Sequence, residues 1–501
     1  QRIGPTLPYT DGLVNLLIVE SSGEVSFDEQ IRVLAPRGVV YTQTAEGWTR
    51  REKPVPDDID QWTHYLYDAS NNAVGADERV GPPKYHQWIA GPRWARSHDH
   101  LSTTSAVVSS GGRIFYIIDE GLTASVALLP RWKLIARDAH SGVLLWKRPI
   151  ELWEGHLRDF RSGPSDLARR LVAVGDRVYV TLGYGEPISV LDARTGESLE
   201  TYESTRGTLE MIVEGGTLYA VVGDGVPETI DTKEHIRNRE GIWHWWPIYD
   251  IDLPERHLEA IDTTTGKTLW TKKDEQAAEI LPATIASAGG SVYFQNYDEL
   301  IKLDAKTGTV QWQVERPVSR QRPAWSTPTV VVHGDVVISA DRSETAKAPR
   351  TQPSDKPTQW VINSQGGIAP PGRMIAFSTE TGEKLWESPC KECYNAPVDI
   401  LIADGLVWSG NLVGAREPGI IQGLDLHTGE ARRTRTADQK HFRIIMGHHR
   451  CYRNKATAKY LVLGRDGVEL IDIKTGKGYG HHWTRGACQY GVMPCNGLIY
   501  V

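Results

Sequence analysis

The chain has 501 residues, 56 Lys and Arg against 63 Asp and Glu, a net charge of −7 and 40% apolar residues. That length allows a large core and more than one domain. The mildly acidic balance, without a basic block, argues against nucleic acid as the main partner, and the lack of a long apolar run argues against a membrane-spanning helix.

No secretion signal is visible, and the sequence starts abruptly at Gln1, so a leader or a larger N-terminal part is expected to precede it. Residues 13–19 read as a buried strand. Residues 26–34 read as a short helix with Ser26 as N-cap and Glu29 at the capping-box position, and residues 35–41 as a turn into another strand. The boundaries that follow are an α/β segment at 1–50, a linker or cap at 51–84 and a repeat region at 85–501. Residues 60–73 are dense in polar and aromatic groups, among them Trp62, His64, Tyr65, Asn71 and Asn72. Residues 84–90, which contain Trp88, are expected to supply a closing strand to the repeat region. Residues 93–100 bring Arg93, Trp94, Arg96, His98, Asp99 and His100 together.

From about residue 107 two units alternate. One is a pair of apolar strands joined by a Gly-containing turn, at Gly111, Gly175, Gly289, Gly334 and Gly405. The other is the phrase Asp-x-x-Thr-Gly, often followed by Trp. Its seven copies start at Asp138, Asp192, Asp262, Asp304, Ser378, Asp425 and Asp472. Such self-similarity sets the fold. Each copy marks a tight turn between antiparallel strands: the Asp and Thr side chains bond the turn backbone, and Gly takes the left-handed conformation without Cβ strain. The Trp fills the space between neighbouring units, which accounts for 17 Trp against 6 Phe. Two hairpins per period give a four-stranded sheet, and sheets arranged radially give an all-β propeller. Residues 488–501 begin a further hairpin, so eight blades are expected, the last incomplete or closed by an N-terminal strand; seven is the alternative.

The stretches at 260–270 (Ala-Ile-Asp-Thr-Thr-Thr-Gly-Lys-Thr-Leu-Trp) and 302–312 (Lys-Leu-Asp-Ala-Lys-Thr-Gly-Thr-Val-Gln-Trp) resemble the tryptophan-docking repeat of the PQQ-like propeller superfamily. That superfamily includes quinoprotein alcohol dehydrogenases and outer-membrane assembly lipoprotein propellers. The resemblance covers residues 85–501 and implies a fold and an extracytoplasmic location more than an activity. Residues 1–50 resemble the C-terminal half of a class I S-adenosylmethionine-dependent methyltransferase through residues 7–11 (Leu-Pro-Tyr-Thr-Asp) and 32–38 (Arg-Val-Leu-Ala-Pro-Arg-Gly). The Gly-rich cofactor loop is missing, so a vestigial cap is expected rather than methyl transfer.

Several segments depart from the repeat pattern. Residues 447–455 carry His448, His449, Arg450, Tyr452 and Arg453, and residues 481–490 carry His481, His482, Trp483, Arg485 and Tyr490. Closure of the ring would bring the blade containing His98 and His100 beside the last blade. On that argument His98, His100, His448, Arg450, Tyr452, Arg485 and Tyr490 form a candidate catalytic set. The arginines would neutralise a carboxylate, a His would remove a proton and a Tyr would donate one. These residue types are similar to those of propeller-fold lyases that cleave acidic, uronate-containing polysaccharides. Arg96, His64, Tyr65 and the aromatic cluster Trp243, Trp245 and Trp246 are candidate substrate-binding residues, the tryptophans as a stacking platform. The same His98 and His100, with Asp99, could instead hold a divalent cation, Ca or Zn. A quinone cofactor is not expected, because no adjacent cysteine pair exists. Cys390 and Cys393 could form a small disulfide or half of a metal site, or stay free thiols. The expectation is a carbohydrate-active lyase. A non-catalytic scaffold binding glycans or proteins and a quinoprotein dehydrogenase are the alternatives.

Overall fold

The computed structural model describes residues 5–20, 25–92, 103–124, 128, 130–151, 153, 167–223, 255–320, 326–344, 371–392, 396–411, 419–434, 452–464, 467–487 and 490–501. Near the N-terminus, strand β1 (Val14–Val19) leads through helix α1 (Phe27–Val33) to β2 (Leu34–Thr44), which lies parallel to it; β3 (Gly47–Glu52) adds antiparallel to β2. Ser26 caps the helix as the sequence suggests, its hydroxyl accepting from the Glu29 N–H at 3.2 Å. The Glu29 carboxylate does not complete a capping box. It accepts from the Leu7 N–H and from the Arg32 guanidinium, and Arg32 holds its pKa well below the usual carboxylate range, at about 2.

Among the described residues the repeat region forms six four-stranded antiparallel sheets, a seventh whose four antiparallel strands are joined by a fifth from the N-terminal region, and one two-stranded hairpin. The innermost strands are Thr104–Ser110, Leu171–Val174, Thr208–Glu214, Ala286–Ala288, Thr329–His333, Leu401–Ala403, Lys455–Thr457 and Met493–Cys495, for blades one to eight. The last of these packs back against the first, which closes the ring; the Asn496 amide donates to Ser109 Oγ at 2.8 Å across the join. The expected eight-bladed propeller with a small N-terminal α/β segment is the architecture observed.

The repeated phrase works as its chemistry demands. Asp304 Oδ1 accepts from the Lys306 and Thr307 N–H groups at 3.0 and 2.9 Å, and Gly308 follows with φ of 70°. The Trp at the third position of a blade's outer strand donates from its indole nitrogen to a turn carbonyl of the next blade. Trp146 bonds Ala193 O, Trp270 bonds Ala305 O, Trp312 bonds Thr379 O and Trp386 bonds Leu426 O, all at 2.8–3.1 Å. Each ring lies flat over the motif glycine of that neighbour. A Cβ on Gly308 would come within 2.6 Å of Trp270. The glycine is therefore needed twice, for its φ and for its missing side chain.

Residues 84–90 close the ring differently from the sequence expectation. Trp88 takes the docking position, its Nε1 donating to Ala139 O at 3.0 Å over Gly142 of blade one. The residues around it form no strand. The strand that the N-terminal region does contribute is β4 (Val74–Gly75), which pairs in parallel with the innermost strand of blade seven.

Candidate functional site

Residues 60–73 run around one mouth of the ring as a collar and touch the blades almost in chain order. Ser109 N of blade one donates to Trp62 O, Ala173 N of blade two to Thr63 O, Ser287 N of blade four to Ala69 O and Val332 N of blade five to Ser70 O, at 2.7–3.0 Å. Ala456 N of blade seven donates to Ala73 O and Asn496 N of blade eight to Asp60 O. Side chains serve the other two blades: Val213 N of blade three donates to His64 Nε2 at 3.0 Å, and Ile402 N of blade six to Asn72 Oδ1 at 2.9 Å. Each donor is the last but one residue of its blade's innermost strand, except Asn496, which follows directly on its strand. A closed ring leaves these edge amides facing the channel, where an unpaired N–H is costly. The collar satisfies one of them in every blade. Asn71, at φ of 65°, ties blades four and five by donating to Ile285 O and Val330 O.

Two candidate binding residues belong to this collar. His64 is buried. With Nε2 accepting from Val213, its proton is assigned to Nδ1, which shares a 2.7 Å hydrogen bond with Thr63 Oγ1. Burial, reinforced by the positive charge of Arg169, pushes its pKa down to about 3. Tyr65 is also buried, and burial raises its hydroxyl to about 12. Its ring lies 5.9 Å from that of Tyr490. Between them and Trp62 sits Lys455, fully buried, with Nζ 3.7 Å from the Tyr490 ring centroid and 3.1 Å from the Tyr490 carbonyl, to which it donates. Burial drives the Lys455 ammonium well below the usual lysine range. Beside this group Arg453 pairs with Asp399 at 3.0 Å, while Arg169 pairs with Glu210 at 2.6 Å. Tyr452 is buried and packs against Gly464 and Gly491.

Ring closure therefore brings Tyr65, Tyr452 and Tyr490 into one region, with Arg485 close by. Arg485 and Tyr490 line a cleft of about 940 Å³ between the last hairpin, blade one and residues 81–92. Its described lining carries Lys84, His86, His481 and Arg485 and no Asp or Glu, on a chain whose net charge is −7. Among the described residues, Tyr490 Oη and His481 Nε2 have no hydrogen-bond partner. Burial, then the nearby His86 and His482, lower the His481 pKa. Trp483 stands at the rim, 74% exposed and 5.1 Å from the His481 ring.

The remaining candidates, Arg96, His98, Asp99, His100, Trp243, Trp245, Trp246, His448 and Arg450, lie outside the described residues. Among the described residues no group of three or more His, Cys, Asp or Glu could hold a metal ion. Cys390 and Cys495 are buried free thiols, and Cys393 lies outside the described residues. Burial pushes the Cys390 thiol up to about 12. Lys455 and His86 were not singled out by the sequence reading. Lys455 ends a polar run and gave no sign that three aromatic rings would enclose it.

A family model described as outer membrane protein assembly factor BamB matches residues 41–241 and 254–352. No curated protein matches the chain. Among solved structures it is similar to BamB from Moraxella catarrhalis, at 17% identity and a TM-score of 0.39 over 80% of this chain and 98% of that one. It is also similar to a europium-containing methanol dehydrogenase, at 11% identity and a TM-score of 0.35 over 82% and 89% of the two chains. A quinohemoprotein alcohol dehydrogenase from Comamonas testosteroni matches at 11% identity and a TM-score of 0.34, over 82% and 76%.

Proposed function

The chain belongs to the family described as outer membrane protein assembly factor BamB, and from that premise we propose that it is an extracytoplasmic docking scaffold for other proteins. The observation that carries this reading is the collar. Trp62, His64 and Asn72, of which His64 is a candidate substrate-binding residue by sequence, are bonded to the inner edges of blades one, three and six. The mouth they close is held by structural bonds, and the ring presents its blade edges and turns as a rigid surface, as repeat folds commonly do. The N-terminal unit is a cap on this scaffold: Arg37 donates to Gly111 O of blade one, and Gln87 bridges Gly12 O and His140 O.

A second reading, binding or lyase-type cleavage of an acidic polysaccharide, is favoured by the cleft. Its cationic side chains, the exposed Trp483 and the unpartnered Tyr490 hydroxyl and His481 Nε2 suit an anionic sugar. One pair of measurements separates the two readings. Immobilised chain should retain a urea-unfolded outer-membrane β-barrel protein diluted into buffer, and a uronate-polysaccharide panel should yield no product absorbing in the ultraviolet. A product that disappears in Arg485→Ala would overturn the scaffold reading in favour of the lyase.

A further inference from the structure

The docking tryptophan does not join every pair of blades. It links blade one to two, three to four, four to five and five to six, and Trp88 takes its place between blades eight and one. At the same third position of the outer strand, blade two has Glu200 in Ser198–Tyr202 and blade six has Arg433 in Ala431–Thr434. Guanidinium groups serve these two seams instead. Arg177 of blade two donates to Thr263 O, the turn carbonyl of blade three that an indole would take, and Glu200 lies over the motif glycine Gly266. Arg433 donates to Ile473 O of blade seven at 2.9 Å and pairs with Asp404 at 3.0 Å. Blade seven has Gly480 at this position, and the two described strands of blade eight carry no repeated turn; Lys455 crosses that seam to Tyr490 O.

The channel side repeats the contrast. Between described residues, two buried ion pairs join one blade to the next, and they lie at the same two seams. Arg169 of blade two meets Glu210 of blade three at 2.6 Å, and Arg453 of blade seven meets Asp399 of blade six at 3.0 Å. In a closed ring of eight blades these seams are four blades apart, on opposite sides. The collar crosses them in single steps, from blade two to three between Thr63 and His64, and from blade six to seven between Asn72 and Ala73. We infer that the ring yields along the line through these two seams, as two half-rings: blades three to six, and blades seven, eight, one and two. A docked indole buries apolar area in one orientation, whereas a buried ion pair gains little net stability once its desolvation is counted. The ionic seams are therefore the weaker joints. Opening there changes the width of the channel while every blade keeps its own ladder. The device goes beyond the scaffold reading and does not depend on it.

The test is amide exchange, read by mass spectrometry in the repeated turns, whose own bonds are alike. Gly266 N to Asp262 O, Gly308 N to Asp304 O and Gly476 N to Asp472 O span 2.8–2.9 Å. In the native chain, turns 262–266 and 472–476 should exchange at least about tenfold faster than turns 192–196, 304–308, 378–382 and 425–429, the effect of lacking one docked indole and its hydrogen bond. Equal rates in all six would overturn the inference. Arg433→Trp supplies an indole to the seam after blade six and should slow exchange at 472–476. Because the two half-rings part at both seams together, it should also slow exchange at 262–266, across the ring, and leave 304–308 unchanged. Slowing confined to 472–476 would show two separate loose joints and refute the shared line. Asp399→Asn removes the carboxylate of one inner pair and should speed exchange at both turns; a response at 472–476 alone has the same adverse meaning. The native comparison decides whether or not the Asp399 variant folds.

Discussion

His64 shows how a residue chosen from sequence for its chemistry can be held by the fold for its shape. Its folded pKa of about 3 lies below the ordinary 6.5. Between those pH values the unfolded chain binds a proton that the folded chain excludes. Stability from this site is thus complete above about pH 6.5 and declines as the pH falls toward 3, by up to about 1.4 kcal/mol per pH unit. We expect urea unfolding of the native chain to show that slope between pH 6 and pH 4, roughly the middle of the window. His64→Gln keeps an acceptor for Val213 N and should flatten the slope; a slope unchanged in the variant would place the titration elsewhere. The sequence shows a His between Thr and Tyr and nothing more. Whether it meets solvent, substrate or the Val213 amide depends on a partner 149 residues away.

At the scale of elements, the repeat was legible almost completely. Each Asp-x-x-Thr-Gly phrase, and its Ser378 variant, is the turn between the third and fourth strands of a blade, because the bonds that make it are local. What the glycine does for the next blade was not legible. Gly308 and Gly334 have φ of 70° and 58°, so alanine is strained at both. Only at Gly308 would the new Cβ meet a ring, 2.6 Å from Trp270, whereas nothing lies within 4 Å at Gly334. Gly334→Ala should cost about 1–2 kcal/mol for the left-handed backbone alone. Gly308→Ala should cost more and should loosen the join between blades three and four, measurable as faster amide exchange at residues 268–272. Equal destabilisation of the two variants would refute the docking role of the glycine. Residues 84–90 show the opposite limit: the Trp signal placed Trp88 correctly, but the strand around it does not form.

At the scale of the whole molecule, the collar makes the ring one object. Asn72 donates to Ile402 O and accepts from Ile402 N, both at 2.9 Å, and Asn71 holds the carbonyls of Ile285 and Val330. Asn72→Ala would leave a buried amide and a buried carbonyl unpaired, each worth about 1–3 kcal/mol. The loss should fall on the inner edge, so amide exchange at residues 401–403 should rise well before that at residues 431–434. Uniform exchange across blade six would show that the collar only rests on the ring.

Local chemistry settled the strand pairs, the turns, the capped helix and the eight-bladed closure, because periodicity and short-range hydrogen bonds are written in neighbouring residues. The tertiary structure alone decided that residues 60–73 bond to the innermost strands of the blades and that Lys455 lies enclosed by aromatic rings. Those outcomes depend on which edges meet when the ring closes, as across the 387 residues of sequence between Ser109 and Asn496. No local pattern encodes a hydrogen bond whose two halves are brought together only by the curvature of the whole.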